Sequence, residues 1–301
     1  MKAMTRTPEP NQNSTRPVVV LGGTGTSGRR VARLLSAEGV PTRAVGRTTQ
    51  IPFDWTDSST WERAVDGARA AYVAYAPDIA APGATDDIAE LLGTLSSASV
   101  EHVTLLSGRG EPAAQEAEAL LERSGLSWAV VRSAWFAQNF SEGYLQPAVM
   151  GGVLSIPAGK VTEPFLDVDD LAAVAALTLT DERHSGLVHE LTGPESLSFD
   201  EIAMVLSRTA GRPVIFADVT RSDFIANALE DGIPEEVVFV LDHLFSEILD
   251  GRNSSTTDGV EKVLGRPATS FAEFAARAAR SGSWSEPHPR ATDAGTAPEG
   301  A

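Results

Sequence analysis

The 301-residue sequence contains no cysteine, which excludes disulfide bonds, thiolate-bound metals and a cysteine nucleophile. It has no apolar run near the roughly 18 residues that a membrane-spanning helix needs. Its polar N-terminus lacks the apolar segment of a secretory signal. The hydrolase motif Gly-x-Ser-x-Gly and the zinc motif His-Glu-x-x-His are also absent. We therefore expect a cytoplasmic protein that binds no metal and does not enter a membrane.

Positive charge is scarce, since 24 basic residues stand against 41 acidic ones and the formal net charge is −17. Nucleic-acid surfaces need clustered lysine and arginine, so we do not expect nucleic acid as a partner. Only Lys2, Lys160 and Lys262 are lysines, and the excess of arginine, with abundant alanine and glycine, is typical of a high-GC bacterial source. We expect a small-molecule partner, and the sequence leaves a homo-oligomer open.

Strand and helix patterns alternate along the first half of the chain. This alternation predicts an α/β fold of the Rossmann-like type, a doubly wound parallel sheet with helices on both faces. The predicted strands cover residues 17–21, 42–45, 51–54, 70–76, 102–106, 127–132 and, later, 187–191. After residue 133 the pattern becomes mostly helical, which indicates a smaller C-terminal lobe.

The same pattern predicts how the chain divides. We expect a dinucleotide-binding domain over residues 17–150, with residues 165–192 returning to it, and a small substrate lobe built from residues 151–164 and 193–280. The two ends, residues 1–16 and 281–301, are polar or rich in proline, glycine and serine. Such compositions bury little apolar surface, so we expect both ends to be disordered.

The clearest motif is a glycine-rich turn between the first predicted strand and the first helix, with the sequence Leu21-Gly22-Gly23-Thr24-Gly25-Thr26-Ser27-Gly28. Its glycines satisfy both GxxGxxG and GxGxxG spacing. The early glycines allow a tight turn and close approach of the backbone to a pyrophosphate, and a helix N-terminus favours an anion. We therefore predict dinucleotide binding, the alternative being a glycine-rich loop without a ligand.

The residue that follows the second strand indicates which dinucleotide binds. An NAD site usually has an aspartate or glutamate there to hold the ribose 2′-hydroxyl. This chain has Arg47, followed by Thr48 and Thr49. A guanidinium and hydroxyls suit a 2′-phosphate, which favours NADP(H), with Arg29 and Arg30 as further candidates. The alternative is that Arg47 is a solvated surface arginine.

Three more residues follow predicted strands at the edge where a dinucleotide would lie. Asp54 is a candidate acceptor for the adenine amino group and Trp55 a candidate for flanking the ring. The alternatives are a loop cap for Asp54 and core packing for Trp55. Tyr75 follows the next strand, where the nicotinamide half should run, and is a candidate contact there.

The turn, Arg47 and several later segments together resemble the NmrA-like branch of the atypical short-chain dehydrogenases. The later segments are, in order, Leu106-Ser107, Glu118-x-x-Leu121-x-x-Ser124-Gly125-Leu126-Ser127-Trp128, Val131-Arg132, Trp135-Phe136-x-x-Asn139-Phe140 and Phe165-Leu166-Asp167-Val168-Asp169-Asp170-Leu171. The resemblance extends over residues 17–210. It implies a Rossmann domain with a small C-terminal lobe, a substrate cleft between the two, and NADP(H) as the cofactor.

The resemblance also implies roles for individual positions. Residues Gly22, Thr24, Gly25, Thr26, Ser27 and Gly28 match the phosphate turn of the family, Arg47 matches its 2′-phosphate arginine, and Ser107 matches a position beside the nicotinamide. Trp135, Phe136 and Asn139 match the loop that closes over nicotinamide and substrate. Members of the family include quinone reductases, tailoring enzymes of aromatic polyketide pathways, and regulators that bind NADP without turning it over.

The Tyr-x-x-x-Lys pair that short-chain dehydrogenases use for proton transfer is missing, because none of the three tyrosines has a lysine four residues later. The Ser124-Gly125-Leu126 landmark places Gly110 near the tyrosine position and Ala114 near the lysine position. A quinone accepts hydride readily and its reduced form takes a proton from water. The loss therefore favours a quinone-like acceptor or no turnover, and it leaves the catalytic residues unassigned.

Aromatic residues follow the strand at 127–132 and provide the best candidates for a substrate site. Trp135, Phe136 and Tyr144 suit a flat conjugated ligand, and Asn139 is a candidate polar contact. The alternative is that these rings pin the small lobe to the sheet.

Together these features predict an NADPH-dependent oxidoreductase that acts on a quinone or polycyclic aromatic. A tailoring role in bacterial aromatic polyketide antibiotic biosynthesis, by reduction, oxygenation or coupling, is the more specific expectation. The alternative function is a non-catalytic, redox-sensing regulator that binds NADP(H) and docks on a partner protein. The absence of the Tyr-x-x-x-Lys pair supports the regulator hypothesis, whereas an aromatic cleft weighs against it, since a sensor needs no substrate pocket.

Overall fold

The computed structural model describes residues 15–230 and 232–285. Its centre is a six-stranded sheet with the order β2-β1-β3-β4-β5-β8, in which every neighbouring pair is parallel. The strands are β1 (Val18–Leu21), β2 (Thr42–Val45), β3 (Ala70–Val73), β4 (His102–Gly108), β5 (Ser127–Ser133) and β8 (Leu187–Leu191). The predicted Rossmann-like α/β fold is confirmed.

Helices cover both faces of this sheet, so its central strands are apolar along their whole length. In β1, all four residues are fully buried, as expected of a parallel strand that is covered on both sides. One face packs against α2 (Trp61–Val65), α3 (Ala84–Ser97) and α4 (Pro112–Arg123). The other face packs against α1 (Gly28–Ala37), α6 (Val168–Thr178) and α10 (Gly259–Leu264). Each fully buried aliphatic side chain contributes about 1.5–3 kcal/mol to the stability of this layered core.

The remaining elements form a lobe with its own apolar core. It contains the helices α5 (Gln146–Gly151), α7 (Phe199–Ala210), α8 (Arg221–Glu230), α9 (Glu235–His243) and α11 (Phe271–Arg280). It also contains two small sheets, one pairing β6 (Val153–Ile156) with β10 (Ile215–Asp218) and one pairing β7 (Thr162–Glu163) with β9 (Leu197–Ser198). Phe140, Phe165 and Phe271 pack edge to face or tilted at its centre, with ring centroids 5.3–5.9 Å apart.

The predicted strand at residues 51–54 is wrong. The segment makes only two isolated bridges, a parallel one between Gly46 and Pro52 and an antiparallel one between Asp54 and Asp57, and belongs to none of the named strands. Proline has no N–H group to donate, which interrupts strand pairing. The segment packs inward instead, where the indole of Trp61 donates a hydrogen bond to the carbonyl oxygen of Asp54 at 2.7 Å.

Both predicted disordered ends include residues that are firmly held. Arg16 donates hydrogen bonds to the carbonyl oxygens of Ala68 and Ser99, at 2.7 and 2.8 Å. Trp284 is 3% exposed in the lobe core, and its indole donates to the carbonyl oxygen of Phe140 at 2.8 Å. The prediction of disorder from composition is therefore wrong for residues 15–16 and 281–285, because one anchoring side chain is enough to order a short polar segment. Residues 1–14 and 286–301 of the predicted ends lie outside the described residues.

In the part of the chain that the structure describes, no helix is both long enough and apolar enough to cross a membrane.

Candidate active site

The glycine-rich turn joins β1 to α1 and has no room for side chains at its key positions. Gly22 has a φ of +77°, which favours glycine. A Cβ atom on Gly28 would lie 2.3 Å from the carbonyl oxygen of Gly22. Thr24 and Gly25 are exposed at the tip, and the first turn of α1 carries no acidic residue that would compete with an anion. This bare helix N-terminus at the carboxyl edge of the sheet fits a pyrophosphate.

Arg47 lies beside this turn, directly after β2. A Cβ atom on Gly46 would be 2.8 Å from the hydroxyl oxygen of Thr24, so the two turns touch. The Arg47 side chain is exposed. The hydroxyl of Thr49 exchanges hydrogen bonds with the backbone of Gly46 at 2.8 and 3.0 Å, so it shapes the turn instead of facing a ligand. Thr48 is exposed next to Arg47.

The two arginines at the start of α1 point elsewhere. Arg29 and Arg30 both pair with Glu142 in the loop after β5, and Arg30 also pairs with Asp169 at 2.8 Å. They are therefore engaged in ion pairs with that loop and with α6, whereas Arg47 is left as the exposed guanidinium beside the turn.

Asp54 and Trp55 are held by contacts within the protein. The Asp54 carboxylate accepts hydrogen bonds from the backbone and hydroxyl of Thr56 at 3.0 and 2.9 Å. These bonds, with the nearby charge of Arg47, hold the pKa of Asp54 below its usual value. Trp55 is 9% exposed and packs against Phe53, with ring centroids 5.0 Å apart. Both residues thus have contacts within the protein, and their contacts with a cofactor stay a prediction.

Tyr75 follows β3 at the carboxyl edge of the sheet. Its ring lies 4.5 Å from that of Trp55, and its hydroxyl donates a hydrogen bond to Asp87 of α3 at 2.6 Å. Burial and this hydrogen bond raise the pKa of Tyr75. The ring is therefore half-buried at the edge, while the hydroxyl is directed at the helix layer.

Ser107 lies at the end of β4 and is 2% exposed. Its hydroxyl donates a hydrogen bond to Glu118 of α4 at 2.5 Å, and Glu118 in turn pairs with Arg132 of β5. Arg132 also reaches Glu190 of β8 at 3.3 Å, and Arg109 reaches the same carboxylate at 2.8 Å. The hydrogen bonds that Arg132 donates to Glu118 are the main reason that the pKa of Arg132 is raised. This charged chain ties together the carboxyl ends of β4, β5 and β8.

The predicted aromatic loop contacts the lobe. Trp135 and Tyr144 both pack against Phe245, with ring centroids 5.2 and 6.4 Å apart. Phe136 is half-buried and makes a parallel bridge with Leu166. Asn139 is half-buried in the short helical turn Ala137–Phe140. We call Trp135, Tyr144 and Phe245 the aromatic wall. The sequence analysis missed Phe245 because it lies about 100 residues after Trp135 and Tyr144 in the chain, and no motif surrounds it.

Three acidic side chains that the sequence did not single out are partly or fully buried in this part of the chain. Asp78 follows β3, Glu111 precedes α4, and Glu163 lies on β7. Glu111 and Glu163 are buried, and oxygen atoms of both carboxyl groups have no hydrogen-bond partner in the described part of the chain. The hydroxyl of Tyr144 is likewise buried and unpartnered there, and the charge of Asp78 reaches it.

The positions that correspond to the missing tyrosine and lysine are closed. Gly110 has a φ of +75°, and a Cβ atom there would lie 2.5 Å from the side-chain oxygen of Asn253. Ala114 is fully buried. Asn253 donates a hydrogen bond to the carbonyl oxygen of Arg109 at 3.1 Å, which keeps its loop over this place. A tyrosine at 110 would therefore displace the loop around Asn253.

Within residues 15–230 and 232–285, no group of three or more histidine, aspartate or glutamate side chains is arranged to hold a metal ion.

No family model matches the chain. It is 30% identical over 282 residues to an NAD(P)H azoreductase of Xenophilus azovorans, which covers 86% of this chain and 96% of the relative. It is 25% identical over 275 residues to prestalk A differentiation protein A of Dictyostelium discoideum, covering 86% of this chain and 91% of that protein.

Solved structures with the same fold include two reductases and one regulator, each with a bound nicotinamide cofactor. Citrobacter sp. triphenylmethane reductase complexed with NADP(H) has a TM-score of 0.75 at 20% identity, covering 87% of this chain and 99% of the other. The NADPH-dependent quinone oxidoreductase of Escherichia coli, complexed with NADPH, has a TM-score of 0.73 at 21% identity, covering 86% and 99%. NmrA, a negative transcriptional regulator in complex with NAD, has a TM-score of 0.64 at 17% identity, covering 87% and 95%. The phosphate turn, the shared fold and the 30% identity to the azoreductase lead to one conclusion: the chain belongs to the NmrA-like family of NAD(P)-binding oxidoreductases.

Proposed function

We propose that this protein uses NADPH to reduce a quinone or related polycyclic aromatic compound. The observation that carries the proposal is that the glycine-rich turn follows β1 and Trp135 of the aromatic wall follows β5, so both lie at the carboxyl edge of one parallel sheet. The turn at Gly22–Gly28 and the end of β3 are in contact, since a Cβ atom on Gly22 would lie 3.1 Å from the carbonyl oxygen of Ala74. In parallel α/β sheets, ligands bind at this carboxyl edge and at the point where the strand order reverses, here between β1 and β3.

The proposed cofactor contacts follow from this placement. The turn would hold the pyrophosphate through its backbone and the helix N-terminus, and Arg47 would hold the 2′-phosphate. The other proposed contacts, along the adenine and nicotinamide halves, are Asp54, Trp55, Tyr75 and the strand end at Ser107. NADPH, when bound, supplies the hydride.

The chain itself would provide positioning and a dry surface for the acceptor. Trp135 and Tyr144, backed by Phe245, present flat aromatic faces, which suit offset stacking with a conjugated ring system. Phe136 and Asn139 would complete this surface. An acceptor that is already stacked beside the cofactor loses little further entropy on reaching the reactive geometry. This lower entropic cost accounts for much of the rate acceleration.

The relatives support the coarser reaction, because they include a named azoreductase and, at the level of fold, quinone and dye reductases. We further propose a tailoring role in aromatic polyketide antibiotic biosynthesis, for which the composition typical of high-GC bacteria is the supporting observation. A panel of polycyclic quinones from such pathways, assayed with and without oxygen, tests that role.

The decisive experiment for the function is NADPH oxidation, followed by absorbance, with benzo-, naphtho- and anthraquinones, alongside titrations of NADPH and NADH. Turnover of a quinone and tighter binding of NADPH than of NADH are expected. NADPH binding without turnover of any acceptor would refute the reductase and indicate instead the regulator that docks on a partner protein.

A further inference from the structure

Glu111 is folded back onto the strand end where the nicotinamide half of a dinucleotide would lie. A Cβ atom on Gly108, the last residue of β4, would be 2.5 Å from the carboxyl carbon of Glu111. Glu111 precedes α4, yet its side chain makes no capping hydrogen bond with that helix. It is 7% exposed, and its Oε2 atom has no partner in the described part of the chain. Gly108 therefore makes room for a buried carboxyl group at the carboxyl edge of the sheet.

The carboxyl group of Asp78 meets that of Glu111 within hydrogen-bonding reach. Two carboxylates have no hydrogen to share, so a hydrogen bond between them requires that one holds a proton. Asp78 is half-buried in the loop after β3, and its Oδ1 atom accepts a hydrogen bond from the backbone of Ala80 at 2.8 Å. The pair thus has a buried member, Glu111, and a member closer to solvent, Asp78.

The groups near this pair come from several elements. Tyr144 faces Asp78 from the loop after β5 with a buried hydroxyl. Arg109 is engaged by Glu190 at 2.8 Å and by the carbonyl oxygens of the loop at 253–255. Arg252 reaches the carbonyl oxygen of Gly110 at 3.4 Å and pairs with Asp250 at 2.7 Å.

Burial, the charge of Asp78 and the hydrogen bond to it raise the pKa of Glu111 to about 8. The pair therefore keeps one proton at neutral pH. The residue next to Glu111 is Gly110, near the position of the tyrosine that this chain lacks. The buried carboxyl group and the absent phenol thus occupy neighbouring places at the same strand end.

We propose that Glu111 and Asp78 share a proton and deliver it from Glu111 to the substrate, in place of the tyrosine of the missing pair. This inference rests on the proposed reductase function.

In the proposed step, the acceptor gains a hydride from the cofactor and a proton from the carboxyl group of Glu111. For a quinone, one carbonyl oxygen ends as a hydroxyl and the second oxygen takes the proton, giving the hydroquinone. The quinone is reduced by two electrons and the reduced cofactor is oxidised by two. Asp78, which is nearer to solvent, then passes a proton from water to Glu111 and restores the pair.

Two acceptors with different proton requirements test the step. A quinone needs a hydride and a proton, whereas a triarylmethyl cation dye becomes neutral on accepting a hydride alone. We expect Glu111→Gln to slow single-turnover reduction of the quinone on the order of 10²-fold, the lower end of the range for a positioned general acid. The same variant should reduce the cationic dye at the wild-type rate. Asp78→Asn should slow quinone reduction as well, and Glu116→Gln, an exposed carboxyl of α4, should change neither reaction.

A titration of the protein without cofactor tests the pair independently of turnover. With carbon-13-labelled glutamate, one side-chain carboxyl resonance should titrate near pH 8 in the wild type and be missing in Glu111→Gln. In Asp78→Asn the same resonance should titrate at a lower pH, because a neutral amide replaces the charge that opposes ionisation of Glu111. The wild-type quinone rate should fall as the pH rises through the same range, since the donor is then deprotonated.

The outcomes separate the two proposals. If the wild type binds NADPH but reduces neither acceptor, the reductase function is wrong, and the proton step fails with it. If both acceptors are reduced and Glu111→Gln slows both equally, or neither, the proton step alone is overturned. A glutamate resonance with no titration near pH 8 overturns it too.

Discussion

Replacing Glu163 by glutamine should flatten the pH dependence of folding stability. Glu163 lies on β7 with 0% exposure, and neither oxygen of its carboxyl group has a partner in the described part of the chain. Burial raises its pKa from 4.5 to about 7, the positive charge of Arg109 opposes the rise, and Asp250 adds to it. The folded protein therefore holds a proton on Glu163 at mildly acidic pH.

The sign and size of the effect follow from proton linkage. In the unfolded chain this carboxyl releases its proton near its ordinary pKa, so between the two pKa values the folded state binds more protons than the unfolded state. The stabilisation is complete at low pH and is lost as the pH rises toward the folded pKa. Each pKa unit corresponds to about 1.4 kcal/mol, so the wild type loses about 3 kcal/mol from this group between pH 4.5 and pH 7.

Glutamine has the shape of a protonated glutamate and does not ionise, so Glu163→Gln should not undergo this loss. Urea unfolding followed by tryptophan fluorescence, at a series of pH values from about 5.5 to about 8, gives the free energy of unfolding for each protein. The variant should gain stability relative to the wild type as the pH rises, by about 2 kcal/mol across the series. Glu195→Gln, at an exposed position, controls for the loss of one negative charge. A stability difference between variant and wild type that is the same at every pH would refute the reasoning.

Three further predictions concern the turn and the charged chain. Gly28→Ala places a methyl group 2.3 Å from the Gly22 oxygen, so it should abolish NADPH binding measured by titration and cost about 1–3 kcal/mol of stability. Gly93→Ala, in α3 with nothing within 4 Å, should leave NADPH binding unchanged and serves as its control. Arg47→Ala should weaken NADPH by about 10- to 100-fold, as the loss of a charge-assisted hydrogen bond implies, and leave NADH unchanged; equal weakening of both would contradict its role. Glu118→Gln removes the carboxylate that pairs with Arg132 and should lower the free energy of unfolding by about 3 kcal/mol, so a loss below about 1 kcal/mol would show that the pair is solvated.

The sequence predicted the parts of the fold that are encoded by local patterns. β1 is a short apolar run, and the turn that follows it has glycines at fixed spacing, so strand, turn and helix could be recognised within about 20 residues. The resemblance that was noted at Glu118 and Arg132 also has a physical basis here, because the two residues form an ion pair between α4 and β5.

The rest could not be predicted because it depends on contacts between distant segments. Glu111 and Asp78 each stand next to a proline, Pro112 and Pro77, and belong to none of the motifs that the sequence analysis singled out. Only the parallel pairing of β3 with β4 brings their loops to the same edge. The segment at Pro52 resembles a strand in sequence but forms only isolated bridges, and only the fold shows that the neighbouring indoles pack inward.

The place of β8 at the edge of the sheet makes the order of synthesis important. β8 pairs with β5, but residues 134–186, which contain α5, β6 and β7 of the lobe and also α6, come between them in the chain. While a ribosome is making that segment, the outer edge of β5 exposes unpaired N–H and C=O groups, which can pair with strands of other molecules. Gly259 then closes against β8 from outside, since a Cβ atom there would lie 2.1 Å from the carbonyl oxygen of Glu190. A fragment that ends near residue 150 would keep that open edge permanently, so the nucleotide-binding half should aggregate when it is produced alone.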